Sequence, residues 1–154
     1  FKGEYDDNYL EIEKILNKNQ VVEMIKADPN ILMQIIRMVR AKFLLDKKYK
    51  QFAFVAQKYY NQMFSLFNRE QLSNLLLGEL EFIMAHAYFR IRKFSSSQLH
   101  LSNLNKLMEK DQVLLNAYGS KYISIKGSID VLEGHLEEAV LEHEKFLEDH
   151  LNKL

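Results

Sequence analysis

The chain has 154 residues, of which 47% are hydrophobic and 27% are charged, so it can bury a core and is neither disordered nor fibrous. It has no cysteine, which excludes a disulfide framework, a thiolate nucleophile and a cysteine-ligated zinc site and fits a cytoplasmic protein. No apolar run approaches the ~20 residues that span a bilayer, and no leader opens the chain. Because Phe1 takes the place of a methionine, we expect a fragment or a processed form.

The net charge of zero hides an uneven distribution along the chain. Residues 1–30 carry −3 and residues 31–60 carry +6, whereas residues 61–110 carry +2 and residues 111–154 carry −5. Binding to nucleic acid needs a concentrated positive surface, and only residues 37–50 approach one. Lysines and arginines on solvated helix faces explain that stretch as well, so nucleic acid is not an expected partner.

The first third of the chain reads as helices. Residues 1–28 predict an N-terminal segment of one or two short helices, and "DPNILMQIIRMVRAKFLL" then begins a long one. Asp28 is placed to cap that helix, and Pro29 stands at the first helical position, where its missing N–H costs nothing. "KKY" at 47–49 predicts a corner, followed by a second apolar-rich helix over about 50–67.

Four further helices are predicted in the rest of the chain. Asn68 with Gln71 has the form of a capping box for a helix running through "LSNLLLGELEFIMAHAYFRI". Ser95 is a candidate cap for the next helix, Asp111 caps a fifth, and "GHLEEAVLEHEKFLEDHL" forms a sixth. Since there is no sustained alternation of period two and no Asn-Gly hairpin turn, we predict an all-α fold.

Residue sizes repeat when the helical hairpins are overlaid. Late in the first helix of each hairpin stands a small residue: Ala41, Ala85 and Gly127. At each corner stands a bulky residue: Tyr49, Phe94 and Leu136. Early in the second helix the small positions are Ala53 (or Phe52 in its place), Ser97 and Ala139. Small side chains let two helices approach toward the short end of the ~8–10 Å packing range. A period of 42–45 residues predicts hairpins that stack because none buries its apolar face alone.

This pattern resembles the tetratricopeptide-repeat family. It is clearest in "YISIKGSIDVLEGHLEEAVLEHEKFL", with Gly127 and Ala139 at the small positions and Gly134 and Leu136 at the corner. The family's usual repeat is shorter, at 34 residues. The resemblance implies a right-handed α-solenoid over residues 29–154, with units of about 29–67, 68–110 and 111–152. A non-repeating helical bundle is the alternative.

Signatures of catalysis are missing from the sequence. There is no phosphate-binding loop, and the five glycines do not form a dinucleotide-binding pattern. His143 and Glu144 begin like a zinc-protease motif, but Leu147 occupies the place of its second histidine. His100 lies in the apolar stretch "LHLSNL", where a hydrogen-bonded packing role is the usual one. We therefore expect no enzyme, no cofactor and no metal.

The resemblance also implies a binding surface, because in this family the first helices line a concave groove. The groove positions carried over are Ile35, Met38, Lys42, Leu45, Asp46, Glu79, Phe82, His86, Phe89, Arg90, Lys121, Ser124, Ser128, Val131 and Leu132. Of these, Lys42, Glu79, Phe82, His86, Phe89, Arg90, Lys121 and Ser124 form the predicted partner-binding set. Apolar anchors beside cationic groups suit a peptide or protein partner with acidic and apolar side chains.

Two other functions stay open at this level. The chain could be a ligand- or peptide-sensing regulatory domain of a larger, transcriptional regulator, with its DNA-binding segment outside the sequence given. It could also be a homo-oligomerisation module, because the last helix keeps apolar residues with no distinctly polar cap after them, namely Leu136, Val140, Leu147, Leu151 and Leu154.

Overall fold

A computed structural model describes the backbone of residues 7–151 and the side chains of residues 10–149. The described part is all-helical, with eight α-helices, one 3₁₀ turn and no strand, which confirms the predicted class. None of these helices is long and apolar enough to cross a membrane. Leu154 of the predicted apolar stripe lies outside the described residues. The chain divides into two compact units, residues 1–76 and 77–154.

The first unit contains four α-helices and a single 3₁₀ turn. They are α1 (Asp7–Leu16), α2 (Asn19–Ala27), α3 (Pro29–Leu45), α4 (Tyr49–Leu66) and the turn Arg69–Gln71. The capping signals that predicted α3 are confirmed, because the Asp28 side chain accepts a hydrogen bond from the Asn30 N–H at 2.9 Å. Between α3 and α4, the rings of Phe43 and Phe52 pack with centroids 6.4 Å apart.

The predicted capping box is present but does not begin a long helix. The Asn68 N–H donates to Gln71 Oε1 at 2.8 Å, and together these residues close only the 3₁₀ turn. The next helix, α5 (Asn74–Arg90), begins five residues later than predicted, where Ser73 Oγ accepts from the Leu76 N–H at 3.2 Å. A capping box satisfies free N–H groups locally and does not fix how far the helix continues.

The second unit holds the rest of α5 and three further helices. These are α6 (Phe94–Lys110), α7 (Gln112–Leu132) and α8 (Leu136–Leu151). Asp111 caps α7 as predicted, since its carboxylate accepts hydrogen bonds from the N–H groups of Val113 and Leu114 at 3.0 and 3.2 Å. Ser95 does not cap α6, because that helix has already begun at Phe94. The core of this unit centres on side chains that are almost completely enclosed: Ala85, Leu101, Leu104, Leu114 and Ile129.

Three helical hairpins share one corner geometry. We name them the first (α3–α4), second (α5–α6) and third (α7–α8) hairpins. In each, the second of three corner residues has positive φ: Lys47 at 57°, Arg92 at 63° and Gly134 at 86°. Its N–H donates to the carbonyl three residues earlier, and the next N–H donates to the carbonyl five residues earlier. The corner is therefore a repeated helix C-cap with a left-handed residue.

This shared corner corrects the overlay of the first hairpin. Aligning Lys47, Arg92 and Gly134 places Arg40, and not Ala41, in register with Ala85 and Gly127. Ala41 is exposed, whereas Ala85 and Gly127 are buried. The same alignment sets the large residue Phe52, and not Ala53, opposite Ser97 and Ala139. The prediction of small residues in this register is wrong for the first hairpin, where the Phe43 and Phe52 rings pack on each other.

The close approach does occur in the other two hairpins. In the second, the Ser97 hydroxyl donates to the Ala85 carbonyl oxygen at 2.7 Å, so α6 touches the backbone of α5. In the third, a Cβ at Gly127 would stand 2.6 Å from the His143 ring, so the imidazole lies directly against the α7 backbone. Ala139 is buried nearby on α8. Missing side chains thus bring helices together in the second unit.

Candidate functional site

Helices α5 and α7 lie side by side within the second unit. A Cβ at Gly78 would stand 2.4 Å from the Leu114 side chain, so this glycine admits a buried leucine against the α5 backbone. One turn further along both helices, the rings of Phe82 and Tyr118 pack with centroids 5.5 Å apart. Because these contacts advance along both helices together, α5 and α7 run in the same direction.

A half-exposed group of aromatic and cationic side chains lies on this pair of helices. The His86 ring stacks on Phe82 with centroids 5.9 Å apart and planes 9° apart. Lys121 Nζ lies 5.3 Å from the Phe82 centroid and 5.4 Å from that of Tyr118. We call Phe82, His86, Tyr118 and Lys121 the aromatic–cation cluster. It borders a shallow pocket of about 270 Å³ lined by Phe82, His86, Ser120, Lys121, Ser124 and Ile125.

The structure brings four predicted site residues to this pocket, namely Phe82, His86, Lys121 and Ser124. Glu79 is half-buried on α5, and Arg90 is exposed at its last position. Phe89 packs on Phe94 with centroids 6.2 Å apart.

Lys42 lies in the first unit and pairs with Asp46 at 3.1 Å. In the corner register, Ala41 rather than Lys42 corresponds to His86. The same shift of one residue applies to the other carried-over positions of α3. Ile35, one of those positions, is buried.

A second, larger groove lies between α7 and α8. It has a volume of about 690 Å³ and is lined by Phe89, Ser124, Gly127, Ser128, Val131, Leu132, Leu136, Ala139, Val140, His143, Glu144 and Leu147. Sequence spacing identified the α8 stripe, but it did not pair that stripe with Val131 and Leu132 of α7. A groove of this size and apolar lining falls within the ~300–1,000 Å³ range of ligand pockets.

A buried polar pair joins α5 to α6. Glu81 is completely enclosed, and His100 Nδ1 lies 2.7 Å from its Oε2, with Asn103 Nδ2 at 3.4 Å from the same oxygen. The Tyr88 ring stacks on the imidazole at 5.9 Å, and burial raises the pKa of its hydroxyl. The predicted packing role of His100 is confirmed, because its imidazole is buried with a hydrogen-bonding partner.

An ion-pair group joins α7 to α8. Lys126 Nζ lies 2.8 Å from Glu142 and 3.5 Å from Asp130. Burial lowers the pKa of Lys126, but the hydrogen bond and charge of Glu142 and the charge of Asp130 outweigh it, so the pKa is raised overall. Burial also raises the pKa of the nearby Tyr122 hydroxyl. The contact of Lys126 with Glu142 thus links α7 to α8 beside the buried Asp130 side chain.

Over the described residues, no three His, Asp or Glu side chains come together in an arrangement that could hold a metal ion. Comparison of the chain with protein-family models, with curated proteins and with solved structures gives no match.

Proposed function

We propose that this chain is a noncatalytic protein-interaction scaffold, built as an α-solenoid that resembles tetratricopeptide repeats. Two observations support the stacking. The three hairpins turn through one corner geometry, and α5 and α7, the first helices of successive hairpins, run in the same direction side by side. In addition, Met108 of α6 and Phe146 of α8 line one cavity of about 240 Å³. Stacked hairpins bury apolar faces that a single hairpin leaves exposed.

The proposed binding surface is the aromatic–cation cluster on α5 and α7. Its ammonium and imidazole groups attract carboxylates, while the half-exposed Phe82 ring offers an apolar face. A peptide that carries alternating acidic and apolar side chains meets both needs. The predicted set contributes four residues here, Phe82, His86, Lys121 and Ser124, which come from two different helices.

The geometry of Lys121 is the observation that carries this proposal. Its ammonium lies above two aromatic rings, Phe82 and Tyr118, which hold a flexible side chain at a defined place on an exposed face. A cation–π contact at an exposed site contributes ~0.5–1 kcal/mol, and a positioned cation loses less entropy when a carboxylate binds. A lysine held in this way is therefore better suited to bind an anionic partner than a lysine that is free to move in solvent.

A charge reversal tests the proposal. Fluorescent peptides of alternating acidic and apolar residues serve as probes, and anisotropy reports their affinity. We expect Lys121→Glu to weaken binding at least ~10-fold, because a like charge then faces the peptide. Lys106→Glu is the matched control, since this lysine is exposed on α6 and lies away from the pocket.

Equal affinities for the Lys121→Glu and Lys106→Glu proteins, with helicity preserved, would reject the cluster as the binding surface. The two other hypotheses, a sensing domain of a regulator and a homo-oligomerisation module, stay predictions.

A further inference from the structure

The groove between α7 and α8 exposes an apolar stripe on α8, with the half-buried His143 between its last two members. Leu136, Val140 and Leu147 have the spacing i, i+4 and i+11, and their exposed fractions are 61%, 49% and 54%. From the first to the last, the stripe runs about 16 Å along the helix axis. Val131 and Leu132 of α7 face the same groove and are also about half exposed. Contiguous exposed apolar surface of this kind marks an interaction site.

The rim of this groove on α8 is acidic. Residues 133–149 carry seven carboxylates and one lysine. At 100° per residue, Glu137, Glu144 and Glu148 fall together along one flank of the apolar stripe, and all three are exposed. Glu144 lines the groove itself. An apolar floor thus lies beside a row of negative charge that is three turns long.

We propose that the α7–α8 groove binds an amphipathic helix of a partner protein, with an apolar face bordered by lysines or arginines. A helix laid in a groove buries side chains at i, i+3, i+4 and i+7, which matches a stripe of three turns. Basic residues flanking that face would meet Glu137, Glu144 and Glu148. This site adjoins the aromatic–cation cluster, because Ser124 lines both the groove and the pocket at the cluster, but it takes a partner of opposite charge.

The same charges disfavour a second copy of this chain as the occupant. In a symmetric dimer the same surface patch meets itself, and when the two α8 helices pair antiparallel the two rows of glutamates approach each other. Like charges brought together across an interface cost several kcal/mol, whereas a basic helix gains from the same charges. Charge complementarity therefore selects the basic partner.

Two synthetic peptides test the charge preference. Both are amphipathic helices with the same leucine face, and one is flanked by lysines while the other is flanked by glutamates. We expect anisotropy to show the lysine peptide binding at least ~10-fold more tightly, with an affinity that falls as salt is added. Equal affinities, or tighter binding of the glutamate peptide, would overturn the proposal.

Paired substitutions on α8 test the location. Val140→Ser combined with Leu147→Ser removes groove contacts and should weaken the lysine peptide at least ~10-fold. Leu141→Ser is the matched control, because Leu141 is equally apolar and exposed on α8 but does not line the groove. An equal loss in both proteins would overturn the proposal. All these side chains are exposed, so folding should persist, and circular dichroism checks it.

Two further results separate this site from the alternatives. Lys121 does not line the groove, so Lys121→Glu should not weaken the lysine peptide, and the groove and the aromatic–cation cluster can fail independently. Sedimentation of the unmodified chain should show a monomer. A dimer that dissociates on the Val140→Ser and Leu147→Ser substitutions would instead assign the groove to a second copy and overturn the proposal.

Discussion

The shared left-handed corner predicts that introducing a glycine and removing one have opposite effects on stability. Lys47 has a positive φ of 57°, whereas Gly134 occupies the same corner position of the third hairpin at 86°. Lys47→Gly should therefore stabilise the protein, and Gly134→Ala should destabilise it. A Cβ at Gly134 would meet no atom within 4 Å, so the cost of the alanine comes from the backbone alone.

The size of the effect follows from two opposing terms. A side chain in the left-handed region costs ~1–2 kcal/mol. Glycine avoids that cost, but it loses ~0.5–1 kcal/mol more than alanine in conformational entropy on folding. The net change is ~0.5–1 kcal/mol at each corner, which corresponds to about 1–4 °C in melting temperature for a chain of this size. At Arg92→Gly the gain should be smaller, because the Arg92 guanidinium lies 5.6 Å from the Phe94 centroid and that contact is lost.

Urea unfolding followed by circular dichroism measures these changes. Lys47→Ala is the control, since it removes the same side chain while keeping a Cβ at positive φ. We expect Lys47→Gly to be more stable than Lys47→Ala by about the net amount above. Equal stabilities for these two proteins, or no loss on Gly134→Ala, would refute the repeated left-handed corner.

Three further predictions concern the second unit. His100→Ala should cost about 3 kcal/mol in urea unfolding, because it removes the imidazole that lies 2.7 Å from the enclosed Glu81 carboxyl. Burial raises the pKa of Tyr88 and of Tyr122 in the folded protein, so the unfolded chain loses its tyrosine protons at a lower pH. The contribution of these two tyrosines to the free energy of unfolding should therefore be complete below pH 10 and fall as the pH rises further. Unfolding at stepped alkaline pH measures this. Gly127→Leu should cost ~1–3 kcal/mol in thermal melts, because even the first side-chain carbon at this position would stand 2.6 Å from the His143 ring.

Neighbouring exposed positions supply the controls for these changes. Gln98→Ala on α6 and Glu138→Leu on α8 alter exposed side chains and should each stay within about 0.5 kcal/mol of the unmodified protein. A His100 protein as stable as the Gln98 control would show that the polar pair contributes nothing. Stability that rises above pH 10 would contradict the direction of the tyrosine pKa shifts.

Helix starts were predictable where a single side chain decides them. Asp28 and Asp111 cap their helices through bonds to N–H groups two or three residues on, and such local contacts are visible in sequence. Asn68 and Gln71 gave an equally valid signal, yet it closes only a 3₁₀ turn. The capping contact is local, whereas helix length depends on packing against distant residues.

The register of the first hairpin was hidden because its corner lacks glycine. Lys47 and Arg92 adopt the same left-handed conformation as Gly134, although a sequence predicts that conformation only where it has a glycine. Residue size then favoured Ala41, although Arg40 occupies the equivalent position. In the first hairpin the Phe43 and Phe52 rings pack on each other, so the size pattern of the other two hairpins does not carry over.

The two surfaces differed in how far sequence could define them. The family resemblance placed Phe82 and His86 on the groove face of α5, and Lys121 and Ser124 on the groove face of α7. The α7–α8 groove was missed because Val131 and Leu132 were assigned to the concave face. Which faces of two helices meet depends on their mutual rotation, which the spacing within one helix does not determine.

The stacking of α5 on α7 is tested most directly by a double-mutant cycle at Gly78 and Leu114. Leu114→Ala should cost ~2–5 kcal/mol, since this leucine is completely buried. Gly78→Ala alone should destabilise, because its Cβ would stand 2.4 Å from Leu114, but it should stabilise the Leu114→Ala protein by filling the vacated space with a better helix former. We predict a coupling free energy of at least ~1 kcal/mol from urea unfolding of the four proteins. Additive effects of the two substitutions would contradict contact between these helices and, with it, the stacked-hairpin scaffold.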